Sequence, residues 1–175
     1  MTHAIGASVH ASAVLVGNHA VLIRGPSGSG KSRLAFDLIL AGRSGQIAPA
    51  VLIGDDRVHL GASGGQLIVR PAPALAGLIE IRGLGVRRCG FANEAAVGLV
   101  VDLEAADAAR LPAPESLLTQ ISGIELPRIP VGKGFAAVPL VIAALTMTIS
   151  SPSTPLAADC SKGIGNHISP TIATE

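Results

Sequence analysis

The stretch Gly25-Pro26-Ser27-Gly28-Ser29-Gly30-Lys31-Ser32 restricts what this chain can fold into more than any other. It satisfies G-x-x-x-x-G-K-[ST] at every specified position, the pattern of a Walker A phosphate loop. Such a loop works only between a buried strand and the start of a helix, and both flanks read that way. Ala20-Val21-Leu22-Ile23-Arg24 is a short apolar run ending at the loop, as a parallel core strand would. After the loop, Leu34, Ala35, Leu38 and Ile39 recur at helical spacing, and Gly42 stands where that helix is predicted to end. Glycines let backbone N–H groups curl around an anion, and the helix N-terminus adds partial positive charge. Lys31, expected on the solvent side, would neutralise the β/γ-phosphates, and the Ser32 hydroxyl would ligate Mg²⁺. The motif implies a nucleotide or polyphosphate site in an α/β domain.

Composition narrows the class further. A length of 175 residues suits one domain with a sizeable core. Hydrophobic residues make up 49%, yet only three are Phe and there is no Trp or Tyr, so Ala, Val, Leu and Ile must build the core. A net charge of +1 gives no basic field for nucleic acid, and with so few aromatics a stacking-type nucleic-acid binder is not expected. Cys89 and Cys160 are far apart and outside any C-x-x-C spacing, which argues against a zinc site and a disulfide scaffold and fits a reducing cytoplasm. The first residues carry no signal-peptide pattern. Phe135 to Ile149 is the strongest membrane candidate, but it is shorter than about 18 residues and contains Pro139. It is therefore expected as a buried core helix, and no membrane contact is expected.

Along the chain, Gly17-Asn18 between apolar runs predicts a hairpin pairing Ala13–Val16 with Ala20–Ile23. Ala50-Val51-Leu52-Ile53 reads as a buried strand ending in Gly54-Asp55-Asp56-Arg57. Carboxylates at that place are either a charged turn or the metal ligand or base of a P-loop enzyme. His10, by itself, reads as an ordinary histidine near a strand start. Gln66–Arg70 and Gly98–Leu103 read as strands, and Pro71-Ala72-Pro73 as a break. In Gly77–Val86, Glu80 and Arg82 alternate with apolar residues, either as part of a site or as a surface pair on an edge strand. Glu104–Arg110 reads as a turn or short helix. Leu126-Pro127 is expected to limit strand pairing within Ile121–Ile129, and Ser150–Glu175 is expected to be a loosely attached tail outside a domain over 1–149.

Four segments now combine. His10-Ala11-Ser12, the phosphate loop, Asp55-Asp56-Arg57-Val58 and Glu80-Ile81-Arg82-Gly83-Leu84-Gly85 occur in one order over roughly residues 8–147. Together they resemble the catalytic domain of HPr kinase/phosphorylase in a form lacking the N-terminal domain. The resemblance implies a P-loop α/β kinase domain with a mixed central sheet and flanking helices. It implies ATP- and Mg²⁺-dependent phosphorylation of a serine on the phosphocarrier protein HPr, and phosphorolysis of that phosphate, in regulating carbohydrate metabolism. Asp55 matches the family's acid/base aspartate, and His10 and Lys31 match active-site positions near the phosphates. Ser32 and Glu80 match the Mg²⁺ ligands, and Arg110 falls near the catalytic arginine. Pro130-Val131-Gly132-Lys133 is similar to the loop needed for dephosphorylation. A homo-oligomer, a hexamer in that family, is implied as well. The alternatives are a P-loop small-molecule kinase and a nucleotide-binding switch without catalysis.

Overall fold

The computed structural model describes residues 6–147; the tail reading over 150–175, with Cys160, lies outside the described residues. The chain opens with β1 (Ala7–Val9), β2 (Ser12–Val16) and β3 (His19–Arg24), followed by α1 (Lys31–Arg43). Four strands come next: β4 (Ala50–Gly54), β5 (Val58–Ser63), β6 (Gln66–Pro71) and β7 (Leu78–Ile81). After β8 (Gly85–Arg88) and β9 (Ala95–Leu103) come β10 (Leu118–Ile121), β11 (Ile124–Val131) and α2 (Ala137–Thr146).

Nine strands form one mixed sheet in the order β1-β5-β6-β9-β3-β2-β4, with β11 on β9 and β10 on β11. The loop-bearing β3 runs parallel to β9, and so does β11. The remaining pairs are antiparallel, including the β2–β3 hairpin, which turns at Gly17-Asn18 as expected with Val16 opposite His19. Alternation along each strand sorts side chains between two faces. Val14 and Val16 of β2, Val21 and Ile23 of β3, and Val101 and Leu103 of β9 face α1 and join Leu34, Ala35 and Leu38 in one cluster. Ala13, Leu22 and Val100 face the other way, against Val58, Leu60, Leu67 and Val69. That second face is closed by the sheet curling on itself, β4 approaching β6, so both helices lie on one face only.

Three local expectations are corrected. Helix α1 continues through Gly42 to Arg43. Gly42 is there for close approach, since a Cβ would meet the Ala50 backbone nitrogen at 2.6 Å. Within Gly77–Val86, β7 and β8 form a separate two-stranded hairpin turning through Gly83 and Gly85, both at positive φ. Strand β11 runs straight through Pro127 and Pro130. Residues 124–127 pair only with β10 and residues 128–131 only with β9, so each proline has one unpaired edge on which its missing N–H costs nothing. Finally, α2 is no buried core helix. Val141 is fully buried, with Ala137, Val138 and Ile142 packed against the cluster, while Leu140, Leu145 and Met147 are exposed. One apolar stripe suffices to seat a short helix on α1 and β11, whatever the hydropathy of its outer face. No helix among the described residues is long and apolar enough to cross a membrane.

Candidate active site

The loop joins the end of β3 to the start of α1, and its shape follows from its glycines. Gly25, Gly28 and Gly30 all have positive φ, which an L side chain adopts only at a cost. A Cβ on Gly28 or Gly30 would meet no heavy atom within 4 Å, so that face is open for an anion. Lys31 was expected on the solvent side, yet it is only 6% exposed. The loop wraps its ammonium, and Nζ donates to the carbonyls of Gly25 and Pro26, each at 2.9 Å. Burial pushes the Lys31 pKa down, and the nearby charges of Asp55 and Asp56 push back.

The carboxylates belong to the connection after β4. Asp55 is 3% exposed. The Ser12 hydroxyl donates to its Oδ1 at 2.6 Å, and the Glu80 backbone N–H donates to its Oδ2 at 3.0 Å. Three strand ends from distant parts of the chain thus fix one carboxylate. Asp56 has φ +64, a left-handed conformation that aspartate tolerates better than most residues. Its exposed side chain lies 3.3 Å from His10 Nε2. The Glu80 carboxylate is exposed and makes no ion pair with Arg82 among the described residues. His10 meets Asp56, the backbone of Glu80 meets Asp55, and Lys31 is within reach of the charges of both aspartates. Among the described residues no hydrogen bond or ion pair brings Arg110 there; it is exposed in the connection after β9.

Ser12 is the residue of the site that sequence reasoning missed. Its signal was available: a hydroxyl at an inward position of an apolar strand, 0% exposed, needs a partner. Loss of that hydroxyl would leave Asp55 Oδ1 short of a donor.

A second carboxylate, Asp102, lies apart from this site. Leu99-Val100-Val101-Asp102 is an apolar run closing in an aspartate, on a strand parallel and adjacent to β3, where a P-loop protein can place a metal-binding acid. Alternation, however, points Asp102 to the face away from α1, with Arg24 opposite it in register. Arg24 donates to both Asp102 oxygens at 2.7 Å. Arg128 donates to Asp102 Oδ2 at 2.5 Å, to Asp107 at 2.6 and 3.0 Å, and to the Ser116 carbonyl at 2.9 Å. Asp102 is a clamp that ties the end of the loop-bearing strand to β11 and to the 104–117 connection.

Burial by itself would raise the Asp102 pKa, but hydrogen bonds from Arg24 and Arg128 outweigh it and hold the carboxyl below its usual range. Its contribution to stability is therefore complete above the unfolded-state pKa of about 3.9 and is lost as pH falls through the lower folded value. Asp102→Asn is expected to lower unfolding free energy at pH 7 by roughly 2 kcal/mol. This is less than the ~3–5 kcal/mol for breaking a fully buried pair, because Arg128 keeps Asp107. Urea unfolding at pH 7 and at acid pH checks this, the gap between the two proteins narrowing on acidification.

The fold and the loop define a P-loop α/β domain in which a held carboxylate faces the phosphate loop. Residues 2–151 match the profile of the HPr Serine kinase C-terminal domain, and the chain belongs to that family. It is 40% identical over 104 residues to the HPr kinase/phosphorylase of Mycoplasma mycoides subsp. mycoides SC, covering 55% of this chain and 31% of that protein. It is 43% identical over 67 residues to the HPr kinase/phosphorylase of an Exiguobacterium species, covering 38% of this chain and 19% of that one. The chain thus spans less than a third of the length of these relatives. The structure of the Hpr(Ser) kinase/phosphatase from Coxiella burnetii superposes with a TM-score of 0.62 at 27% identity, over 79% of this chain and 93% of that one.

Proposed function

We propose that this domain uses Mg-ATP to phosphorylate a serine of HPr and catalyses the phosphorolytic removal of that phosphate. The observation that carries the reading is Asp55, a buried carboxylate held through both oxygens by Ser12 and the Glu80 backbone. A serine hydroxyl is a weak nucleophile at neutral pH, and a positioned carboxylate accepts its proton as the phosphoryl group is transferred. In the reverse direction the same group returns that proton. The backbone amides of the loop and the Lys31 ammonium offset charge on the phosphates. Arg110 is proposed to do the same for the transferred group, from a connection that would move on substrate binding. His10, beside Asp56, is proposed to act at the phosphates, and the 130–133 loop in dephosphorylation.

The donor set fits Mg²⁺. Among the described residues there is no cluster of three or more His, Cys, Asp or Glu able to hold a metal ion. Mg²⁺ in phosphoryl-transfer sites commonly takes one or two protein oxygens and completes its shell with phosphate and water. Ser32 and Glu80 are proposed as those protein ligands. When bound, the ion neutralises charge on the β- and γ-phosphate oxygens.

The domain is proposed to span 1–149 and to act in the cytoplasm as a homo-oligomer, a hexamer by resemblance, without nucleic-acid or membrane partners. A catalytically silent switch is less well supported because it calls for no base held as Asp55 is, and a small-molecule kinase because the chain belongs to the HPr Serine kinase C-terminal domain family. The reading is tested by incubating the purified protein with Mg-ATP and HPr and weighing HPr intact. One phosphate added to a serine is expected, and its loss on adding inorganic phosphate. HPr left unmodified while ATP binds would overturn the kinase assignment.

A further inference from the structure

The parallel strands β3, β9 and β11 end side by side, and charged residues collect on one face of their ends. In register, Arg24 lies opposite Asp102 and Arg128 opposite Val100. Side chains two residues apart on a strand share a face, so Arg24, Asp102 and Arg128 all project away from α1. Arg24 immediately precedes Gly25, the first residue of the phosphate loop. Just beyond Asp102 and Leu103 begins the 104–117 connection that carries Arg110. The two roots touch, since a Cβ on Gly25 would meet the Leu103 carbonyl oxygen at 3.1 Å. The connection to Arg110 thus departs from beside the loop itself.

Arg128 carries this cluster beyond the sheet. Its side chain is 13% exposed and makes four hydrogen bonds. Nε donates to Asp102, while Nη1 and Nη2 grip the two oxygens of Asp107, and Nη1 also donates to the Ser116 carbonyl. A planar guanidinium held through two parallel bonds fixes orientation as well as distance. Asp107 stands three residues before Arg110 and Ser116 six after it. Between those pins the backbone has little support of its own. The Ala105 N–H donates to the Val131 carbonyl at 2.9 Å and the Ala108 N–H to the Ala105 carbonyl at 3.3 Å. Among the described residues no backbone hydrogen bond involves 109–112, and Leu111 is 87% exposed. A segment with so few contacts opens at small free-energy cost, so its course is set where Arg128 holds it.

We propose that Arg128 and Asp107 are positioning residues for phosphoryl transfer, their ion pair pinning the connection so that Arg110 reaches the transferred group from a fixed root beside the phosphate loop. This rests on the reading of Arg110 as a charge-stabilising residue and adds what sets its place. Such stabilisation depends on a group already in position when charge develops, and a misplacement of about 1 Å can cost about 10²-fold in rate. Pinned at Asp107 and Ser116, the connection leaves only residues 108–115 to swing toward substrate. Asp107 is itself 47% exposed, so its pair with Arg128 adds little to global stability. Its work is geometric.

The test is a double-mutant cycle on transfer from saturating Mg-ATP to saturating HPr, with the wild type, Asp107→Ala, Arg110→Ala and the double variant. Arg110→Ala is expected to lower kcat by about 10²–10³-fold, and Asp107→Ala by about 10- to 100-fold with calorimetric ATP affinity unchanged. In the Arg110→Ala background Asp107→Ala costs nothing further, because its effect passes through the missing guanidinium. A loss of structure alone would cost the same in both backgrounds. Limited trypsin digestion reads the pinning directly, and cleavage of the Arg110–Leu111 bond becomes several-fold faster in Asp107→Ala than in the wild type. Wild-type kcat in Asp107→Ala, an equal fold-loss in both backgrounds, or unchanged cleavage overturns the positioning role while leaving that of Arg110 standing. A wild-type rate in Arg110→Ala overturns both roles. A wild type that transfers nothing to HPr overturns the proposed function and the positioning role with it.

Discussion

Replacing Asp55 by Asn is expected to lower phosphoryl transfer to HPr by about 10²–10⁴-fold, the range a positioned general base contributes. The substitution suits the site sterically and in its hydrogen bonds. The amide oxygen can accept from the Glu80 N–H where Oδ2 does now, and the amide NH₂ can donate to Ser12 Oγ, because a hydroxyl both donates and accepts. The fold and ATP affinity should therefore persist, the phosphate contacts coming from the loop backbone and Lys31. Forward and reverse reactions should fall together, since one group serves both directions. Asp56→Asn is the matched control: Asp56 is exposed and beside His10, so its loss should disturb that contact more than proton transfer. Rates in both directions with ATP affinity for each variant decide the matter. Full transfer in Asp55→Asn with loss in Asp56→Asn would exchange the roles of the two carboxylates.

Lys31→Ala is expected to reduce transfer by about 10²–10³-fold, the cost of losing one charge-stabilising contact in the transition state. The burial of Lys31 adds a structural consequence. Without Nζ, the part-buried Gly25 and Pro26 carbonyls lose their donor, a loss of about 0.5–1.5 kcal/mol where water can take the donor's place. The variant should unfold at lower urea concentration yet remain folded without denaturant. Rates measured on protein verified as folded by circular dichroism separate the two effects. Wild-type turnover in that sample would remove the loop from the mechanism.

Local signals carried far in this chain. A phosphate loop is a run of neighbouring residues whose glycines, lysine and hydroxyl act through the backbone they share, so Gly25 to Ser32 declared their structure in sequence order. The Gly17-Asn18 hairpin was legible for the same reason, as were the apolar strands beneath the loop and the helix behind it. Asp55 was visible as a carboxylate at a strand end, though its neighbours left a charged turn equally open.

What only the tertiary structure decided are contacts between residues far apart in the chain. Ser12 and Asp55 are 43 residues apart and Arg24 and Asp102 are 78 apart, and no local spacing encodes either pairing. The sheet's curl and register set which face Asp102 takes, which made it a partner of Arg24 and Arg128 rather than an acid beside the loop. The burial of Lys31 depended on the loop closing around its ammonium, and the exposure of one side of α2 on how much surface α1 and β11 offered it. Hydrophobic residues and motifs determined which segments must be buried and where an anion can sit. Register and packing decided which charged groups meet there, because a side chain's partner is chosen by the strand that arrives beside it.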